Sequence, residues 1–228
     1  MSMDQDYCIA SRLHKPGLLR HTQILFVIFY TVGIIGLILP ATFGLFTRLI
    51  PFALLLSIAA LILFHRGRYT FRELLVYFAV FLAGFLVEVA GVNTGMIFGE
   101  YRYGSSLGIK LFNTPLMIGV NWVLLTYLTA AVVRQLGLGG FVADLTAAGM
   151  MLAYDIVLEQ MAPVLGMWHW ADGEIPLQNY LAWFIIALIF QLFLRKSGTV
   201  IRNPMVVVIL LCQVFFFLVL FIYYTWMN

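Results

Sequence analysis

The chain carries seven apolar segments, each near the length that crosses a membrane as an α-helix. About 20 consecutive apolar residues are enough to span the hydrocarbon core of a bilayer. The segments are residues 22–40, 48–65, 71–92, 114–134, 141–160, 178–195 and 204–226. Of the 228 residues, 63% are hydrophobic and 10% are charged, whereas soluble domains have about 25% charged residues. The sequence therefore predicts an all-α, polytopic integral membrane protein, with a single transmembrane domain over residues 1–228.

The basic residues are distributed unequally between the two ends of the predicted helices. Ten fall on the side of the N-terminus: Arg12, Lys15, Arg20, Arg66, Arg68, Arg72, Arg134, Arg195, Lys196 and Arg202. Three fall on the other side: Arg48, Arg102 and Lys110. Because cytoplasmic loops are enriched in arginine and lysine, we expect a cytoplasmic N-terminal tail (1–21) and an outside C-terminus in the cell (inner) membrane. The loops 93–113 and 161–177 are then on the outer face. Since the positive charge follows the membrane, no nucleic-acid partner is expected.

Three carboxylates lie within or at the ends of the apolar segments: Glu88, Asp155 and Glu159. An ionised group in hydrocarbon costs about 2.5–3.5 kcal/mol even on lenient insertion scales, and such residues are commonly functional. The predicted topology places all three in the same half of the membrane. Asp155 and Glu159 are four residues apart and share one helix face. Because two carboxyl groups so close cannot easily both ionise, one should hold a proton at neutral pH and serve as a general acid.

Each carboxylate also has a structural interpretation that the sequence leaves open. Glu159 could be a solvated residue at the headgroup level. Asp155 could be a hydrogen-bonded contact between helices. Glu88 could be a packing carboxylate bonded to a neighbouring asparagine or tyrosine.

Polar and aromatic residues cluster near the same end of the predicted helices. The candidates for substrate binding are Asn93, Tyr101, Tyr103, Asn121, Trp122, Tyr154, Trp168, His169, Trp170, Asn179 and Trp183. Aromatic faces stabilise cations by about 0.5–2 kcal/mol each. Tyrosines and tryptophans are also common anchors at the membrane interface, and a lone histidine such as His169 is more often interfacial than catalytic. The glycine-rich stretch 91–108 is predicted to fold back as a lid or cavity wall, because irregular backbone at membrane depth must be buried in protein or line a cavity.

The chain lacks the residues that a metal-binding or a retinal-binding membrane protein requires. Four histidines are scattered, and the two cysteines, Cys8 and Cys212, lie in the tail and in an apolar segment. No spacing of His, Cys and carboxylates is typical of a zinc or di-iron site. The last segment has no lysine to form a Schiff base with retinal. We therefore expect neither a metal site nor a bound retinal.

Four stretches of the sequence resemble a known family. They are GVNTGMIFGEYRYGSSLG from residue 91, TPLMIGVNWVLLTY from 114, AYDIVLEQ from 153 and GMWHWADGEIPLQNYLAWF from 166. They look like the carotenoid biosynthesis membrane-protein family, whose characterised members are carotenoid 1,2-hydratases of the bisanhydrobacterioruberin hydratase type. One departure is Gln160, where the family pattern has a proline directly after Glu159; here the next proline is Pro163.

This resemblance implies cofactor-free addition of water to the 1,2 double bond of an acyclic (ψ) carotenoid end group, as in lycopene or γ-carotene. The substrate would enter from the bilayer, and proton transfer would give a tertiary carbocation. Asp155, coupled to Glu88 or Glu159, is the expected acid. The residues expected to stabilise the cation are Trp122, Tyr154, Trp168 and Trp170, and those expected to orient water or hold the carboxylates are Asn93, Asn121 and Asn179.

Two other functions remain open from the sequence. A proton-initiated lycopene cyclase would use the same acid but quench the cation with an internal alkene. A non-catalytic carotenoid or lipid binding or transport protein would leave the pigment unchanged. Product mass separates them, because hydration adds the mass of one water and cyclisation adds nothing.

Overall fold

A computed structural model describes residues 16–67 and 69–227, and this part of the chain is built from helices. They are α1 (Pro16–Ile38), α2 (Pro40–Arg48), α3 (Ile50–Phe64), α4 (Phe71–Thr94), α5 (Leu116–Gln135), α6 (Gly140–Met161), α7 (Leu177–Lys196) and α8 (Val206–Trp226). Within these residues, six helices are long and apolar enough to cross a membrane, and α2 with α3 would make a seventh span. The all-α, multi-pass prediction is confirmed. Cys8, Arg12, Lys15 and Arg68 lie outside the described residues.

The second span differs from the sequence-based boundaries. The apolar pattern predicts a helix from residue 48, whereas α2 already begins at Pro40 and joins α3 through a bend of 52°. Pro51 lies in the first turn of α3, and it has no N–H to donate to the carbonyl of Thr47, which interrupts the helix there.

The first span also differs from the sequence-based boundaries. Helix α1 includes residues 16–21, which the sequence places in the N-terminal tail.

Short strands join the two long loops at one end of the bundle. Strand β1 (Tyr101–Tyr103) pairs antiparallel with β4 (Trp168–Trp170), and β2 (Lys110–Leu111) pairs with β3 (Thr114–Pro115). In the β1–β4 ribbon, Tyr101 is opposite Trp170 and Tyr103 is opposite Trp168. We call this end of the molecule the loop end. The residues that connect α4 to α5 and α6 to α7 therefore share one end, as the predicted topology requires.

The opposite end of the bundle holds most of the described arginines. The backbone N–H of Arg66 donates to the carbonyl of Arg202 at 2.7 Å, and Arg134 Nη1 donates to the carbonyl of Thr199 at 2.8 Å. Arg195 Nε pairs with Asp144 Oδ2 at 2.6 Å. These contacts bring the loops after α3, α5 and α7 together, which matches the charge asymmetry between the two ends of the predicted helices.

Helix α4 is placed by local signals at both of its ends. Thr70 and Glu73 form a capping box, with Glu73 N–H donating to Thr70 Oγ1 at 3.2 Å and Thr70 N–H donating to Glu73 Oε2 at 3.0 Å. The helix ends at Gly95, whose φ of 66° is in the left-handed region that glycine adopts without strain. The carboxyl side chain of Glu88 therefore lies in the last two turns, near the loop end.

Close packing between α4 and α5 depends on glycine. A Cβ atom on Gly84 would lie 2.7 Å from Cδ1 of Trp122, so only glycine leaves room for this fully buried indole. Trp122 in turn stacks on Trp183 of α7, with ring centroids 4.0 Å apart and an interplanar angle of 20°. Gly84 is one helical turn from Glu88, so this packing also sets the position of Trp122 beside that carboxylate.

We expect the substitution Gly84→Ala to destabilise the protein by about 1–3 kcal/mol, because overpacking forces a buried side chain to move. The control is Gly149→Ala in α6, where a new Cβ would meet nothing within 4 Å. Alanine has the higher helix propensity by about 1 kcal/mol, so that variant should be neutral or slightly stabilised. Thermal unfolding of both variants in detergent is the measurement. Equal melting temperatures would show that Gly84 has no packing role.

Candidate functional site

Glu88 is buried and accepts three hydrogen bonds from side chains. The hydroxyls of Tyr101 and Tyr103 donate to Oε2 at 2.8 and 2.7 Å, and Trp122 Nε1 donates to Oε1 at 3.1 Å. Both tyrosines point inward because they are two residues apart on a strand, while Arg102 between them faces out. Both carboxylate oxygens are thereby satisfied, which is what an ionised group removed from water requires.

Gly91 allows the loop after α4 to return over Glu88. A Cβ atom there would lie 2.4 Å from Cδ2 of Phe98 and 3.4 Å from the Tyr101 hydroxyl oxygen. Burial and the adjacent Glu88 carboxylate raise the pKa of Tyr101 and of Tyr103 far above the usual value for tyrosine. Both tyrosines therefore remain protonated and able to donate. The predicted folding back of stretch 91–108 is confirmed for this loop.

Glu159 is enclosed in a matching way by the other strand of the ribbon. The indole N–H groups of Trp168 and Trp170 each donate to Oε2 at 2.9 Å, and Asn179 Nδ2 donates to Oε1 at 3.0 Å. His169, between the two tryptophans, is exposed. One two-stranded ribbon thus presents tyrosines to Glu88 and tryptophans to Glu159. Although Gln160 replaces the expected proline, α6 continues to Met161 and keeps Glu159 in the helix.

Asp155 has a different environment from the two glutamates. It is fully buried, and its Oδ2 receives one long contact of 3.4 Å from Asn179 Nδ2. Within the described residues its Oδ1 has no hydrogen-bond partner. Asn179 contacts both members of the Asp155–Glu159 pair, so these two carboxyl groups share one amide donor. An ionised Asp155 would lack the donors that a buried carboxylate needs, and the contacts fit a carboxyl that holds a proton.

A large apolar cavity adjoins this cluster. Its volume is about 120 Å³. The bent α2–α3 pair forms one wall, α1 and α8 form another, and Tyr154 and Leu158 of α6 complete it. Val32 and Leu49 line the cavity and are also exposed on the apolar surface of the bundle. The mouth therefore opens on the apolar surface of the bundle.

A second, much smaller cavity lies between Glu88 and Glu159, and we call it the polar chamber. Its volume is about 20 Å³, which is enough for about one water molecule. Asn179, Tyr101, Tyr103 and Trp183 also line it.

Three residues form the boundary between the two cavities, because they line both: Ile118, Asn121 and Trp168. The Asn121 side chain makes no hydrogen bond to any other described residue, although it is mostly buried. Its amide is therefore free to bind a molecule in either cavity. A reactive group at the inner end of the large cavity would face the polar chamber across this boundary.

The structure brings together most of the predicted site residues and excludes two. Tyr101, Tyr103, Trp122, Trp168, Trp170 and Asn179 contact Glu88 or Glu159 directly, Trp183 and Asn121 line the polar chamber, and Tyr154 lines the apolar cavity. Asn93 is exposed, and its amide donates to the carbonyls of Val89 and Phe112 at 2.7 and 3.0 Å. His169 is exposed on the outer side of β4. Neither side chain reaches the carboxylates, so the expectation that Asn93 orients water has no support in these contacts.

One polar group on the cavity wall is absent from the sequence-based predictions. Gln213 of α8, Tyr30 of α1 and Ser57 of α3 are linked by hydrogen bonds in the interior. The available signal was a lone amide within the strongly apolar segment 206–226.

Among the described residues, no group of three His, Cys, Asp or Glu side chains could hold a metal ion.

Comparison with known proteins assigns the chain to a family. The family model for carotenoid biosynthesis proteins matches residues 49–227. The chain belongs to the carotenoid biosynthesis protein family. The predicted family is thus confirmed, and membership supports a carotenoid-modifying role for this multi-pass membrane protein.

A curated relative adds a more specific similarity. Bisanhydrobacterioruberin hydratase from Haloarcula japonica is 29% identical over 133 residues, which cover 53% of this chain and 45% of the relative. The chain therefore matches about half the length of that relative. No solved structure matches the chain at a significant level.

We expect the substitution Tyr103→Phe to destabilise the protein by about 1–3 kcal/mol, because it removes a donor from a buried carboxylate and changes little else. The matched control is Tyr223→Phe in α8, whose hydroxyl makes no hydrogen bond within the described residues. Unfolding of both variants in the same detergent gives the difference. A Tyr103→Phe protein as stable as the control would mean that Glu88 does not depend on this donor.

Proposed function

We propose that this protein is a cofactor-independent carotenoid hydratase that adds water to the 1,2 double bond of an acyclic end group, as in lycopene or γ-carotene. The observation that carries the proposal is the pair of adjoining cavities. An apolar cavity that opens on the apolar surface suits the hydrocarbon end group, and a polar chamber of about 20 Å³ beside it, lined by two glutamates, has room for about one water. The hydratase name of the Haloarcula relative supports the same chemistry.

The reaction conserves atoms and electrons without a redox partner. The π electrons of the double bond take a proton from a carboxyl group and form a new C–H bond at carbon 2. The resulting tertiary cation at carbon 1 is captured by the oxygen of water. The oxonium ion then returns one proton to the carboxylate, which regenerates the acid and leaves a tertiary alcohol.

The Asp155–Glu159 pair is proposed as the acid. Asp155 has the contacts of a protonated carboxyl, and Glu159 lines the polar chamber. Asn179 donates to both and holds them in one arrangement. General acid catalysis by a positioned group contributes about 10²–10⁴-fold in rate.

Glu88 has a separate role in this proposal. Its three donors satisfy both of its oxygens, and it lines the polar chamber together with Glu159. It and the free amide of Asn121 orient the water oxygen toward the cation. Trp168, which lines both cavities, presents its ring to the cationic carbon, and aromatic faces stabilise a desolvated cation by about 2 kcal/mol.

Expression in a lycopene-accumulating bacterium, followed by mass spectrometry of the pigments, tests the activity. We expect a more polar product that is heavier than lycopene by one water and that takes its oxygen from isotopically labelled water. Asp155→Asn and Glu159→Gln should each reduce its formation by at least about 10²-fold, since each removes a member of the acid pair. The matched controls are Asp144→Asn, at the other end of the same helix, and Glu73→Gln in the exposed cap of α4.

The same experiment decides between the competing functions. A product of unchanged mass with altered absorption would indicate a cyclase, in which an internal alkene captures the cation. Unaltered lycopene that co-purifies with the protein would indicate a binding or transport protein. Full hydration by both Asp155→Asn and Glu159→Gln would contradict the proposed acid.

The orientation in the inner membrane is a further part of the proposal. The arginine-rich end is cytoplasmic and the loop end is outside, so the polar chamber takes its water from the outer side. Alkaline phosphatase fused to the C-terminus should be active, because it folds only after export, and the same enzyme fused to the N-terminus should be inactive. The reverse pattern would place the loop end in the cytoplasm.

A further inference from the structure

A second polar cluster lies on the wall of the apolar cavity, separate from the three carboxylates. Gln213 Nε2 donates to the Tyr30 hydroxyl at 3.2 Å, and that hydroxyl and Ser57 Oγ are 3.1 Å apart. Ser57 also donates to the carbonyl of Ala53 at 2.9 Å. The three side chains come from the middle parts of α8, α1 and α3 and are almost completely buried.

One atom of this cluster is left without a partner. Gln213 is 2% exposed, and its Oε1 has no hydrogen-bond partner among the described residues. Buried polar atoms are nearly always hydrogen-bonded, so an unpaired acceptor on a cavity wall calls for a donor from a bound molecule. Gln213 and Tyr30 both line the apolar cavity.

A free donor lines the same cavity. Tyr154 of α6 makes an edge contact with the ring of Phe217, one turn from Gln213, with centroids 5.8 Å apart. Its hydroxyl makes no hydrogen bond to the described residues, and the side chain lines the cavity beside Gln213 and Tyr30. Apart from the Asn121 amide at the boundary with the polar chamber, the wall thus offers one unpaired acceptor and one unpaired donor.

A hydroxyl group complements this pair, because it donates one hydrogen bond and accepts others. It would donate to Gln213 Oε1 and accept from the Tyr154 hydroxyl. A carbonyl oxygen could use only Tyr154, and a pure hydrocarbon could use neither. Tyr154 precedes Glu159 by five residues, which places it about 7.5 Å farther from the loop end along α6.

We infer that Gln213 and Tyr154, with Tyr30 holding Gln213 in place, form a hydroxyl-binding subsite. The preferred ligand of the cavity is an acyclic isoprenoid with a hydroxyl a short distance behind the end that faces the polar chamber, so a hydrocarbon carotenoid such as lycopene would bind less tightly than a hydroxylated one. The statement that the ligand reacts at the end facing the polar chamber rests on the proposed function. The subsite itself rests on these contacts alone. Gln213 and Tyr154 then determine specificity, because a ligand without the hydroxyl leaves both groups unpaired.

Direct binding to the purified full chain in detergent tests the subsite. The probes are geraniol, which is a short acyclic isoprenoid alcohol, citral, which is the corresponding aldehyde, and the corresponding hydrocarbon without oxygen. Isothermal titration should show geraniol bound about tenfold more tightly than the hydrocarbon, since each new hydrogen bond to a neutral partner contributes modestly. Citral should bind with intermediate affinity.

Two variants locate the preference. Gln213→Leu and Tyr154→Phe should each remove most of the difference between geraniol and the hydrocarbon. The matched control is Gln191→Leu in α7, which also removes a buried glutamine. The Gln191 amide donates to Thr126 O and Thr129 Oγ1, and this residue does not line the apolar cavity. It should keep the full preference. If Gln213→Leu fails to fold, Tyr154→Phe and the three ligands on the unchanged protein still decide.

Two results would overturn the inference. Equal affinities for the three probes on the unchanged protein would show that no hydroxyl is recognised. A Gln213→Leu protein that melts earlier but keeps its preference for geraniol would show that Gln213 only joins helices. By contrast, a preference for geraniol in a protein that leaves lycopene unaltered would support the subsite and contradict the proposed hydratase activity on lycopene.

Discussion

The burial of three carboxyl groups inside an apolar bundle is the constraint on which the rest of this structure depends. Each buried charge needs donors from the protein, because no bulk water is available at that depth. The β1–β4 ribbon supplies four of them, from two tyrosines to Glu88 and from two tryptophans to Glu159. The ribbon can reach the carboxylates only because Gly91 has no side chain where Phe98 and Tyr101 pass. The fold of the loop end therefore follows from the need to solvate Glu88 and Glu159.

The same arrangement separates hydrocarbon from water within a short distance. The bent α2–α3 pair forms a wall of the apolar cavity, which opens on the apolar surface of the bundle, while the β1–β4 ribbon covers the polar chamber at the loop end. Trp168 belongs to both, since its indole N–H donates to Glu159 and its ring lines the apolar cavity. In the proposed reaction, the Asp155–Glu159 pair would supply the acid, the polar chamber the water and Trp168 the cation-tolerant wall. The hydroxyl-binding subsite would fix the position of the bound isoprenoid relative to the polar chamber.

Local sequence patterns predicted most of the helices and the end at which the carboxylates meet. The sequence did not predict α2, because residues 40–48 contain Gly44, two threonines and Arg48 and are less apolar than the predicted segments. The pattern could not separate Asn93 and His169 from their neighbours, since both belong to the same polar stretches. Alternation along β1 and β4 decides that Tyr101, Tyr103, Trp168 and Trp170 face inward and that His169 faces out. Gln213 was overlooked because a single amide carries little weight in hydropathy.

The sequence by itself determined that this chain is a multi-pass membrane protein of the carotenoid biosynthesis family with acidic groups near one end of its helices. Hydropathy, the distribution of basic residues and the family motifs can be read along the chain without knowledge of the fold. Only the tertiary structure decided which donors each carboxylate receives, that Asp155 has an oxygen without a partner, and that an apolar cavity meets a polar chamber at Asn121 and Trp168. These features depend on the register between β1 and β4 and on the bend between α2 and α3. The ribbon and the cavity walls are formed by residues far apart in the chain, and their distances in space cannot be read from their spacing along the sequence.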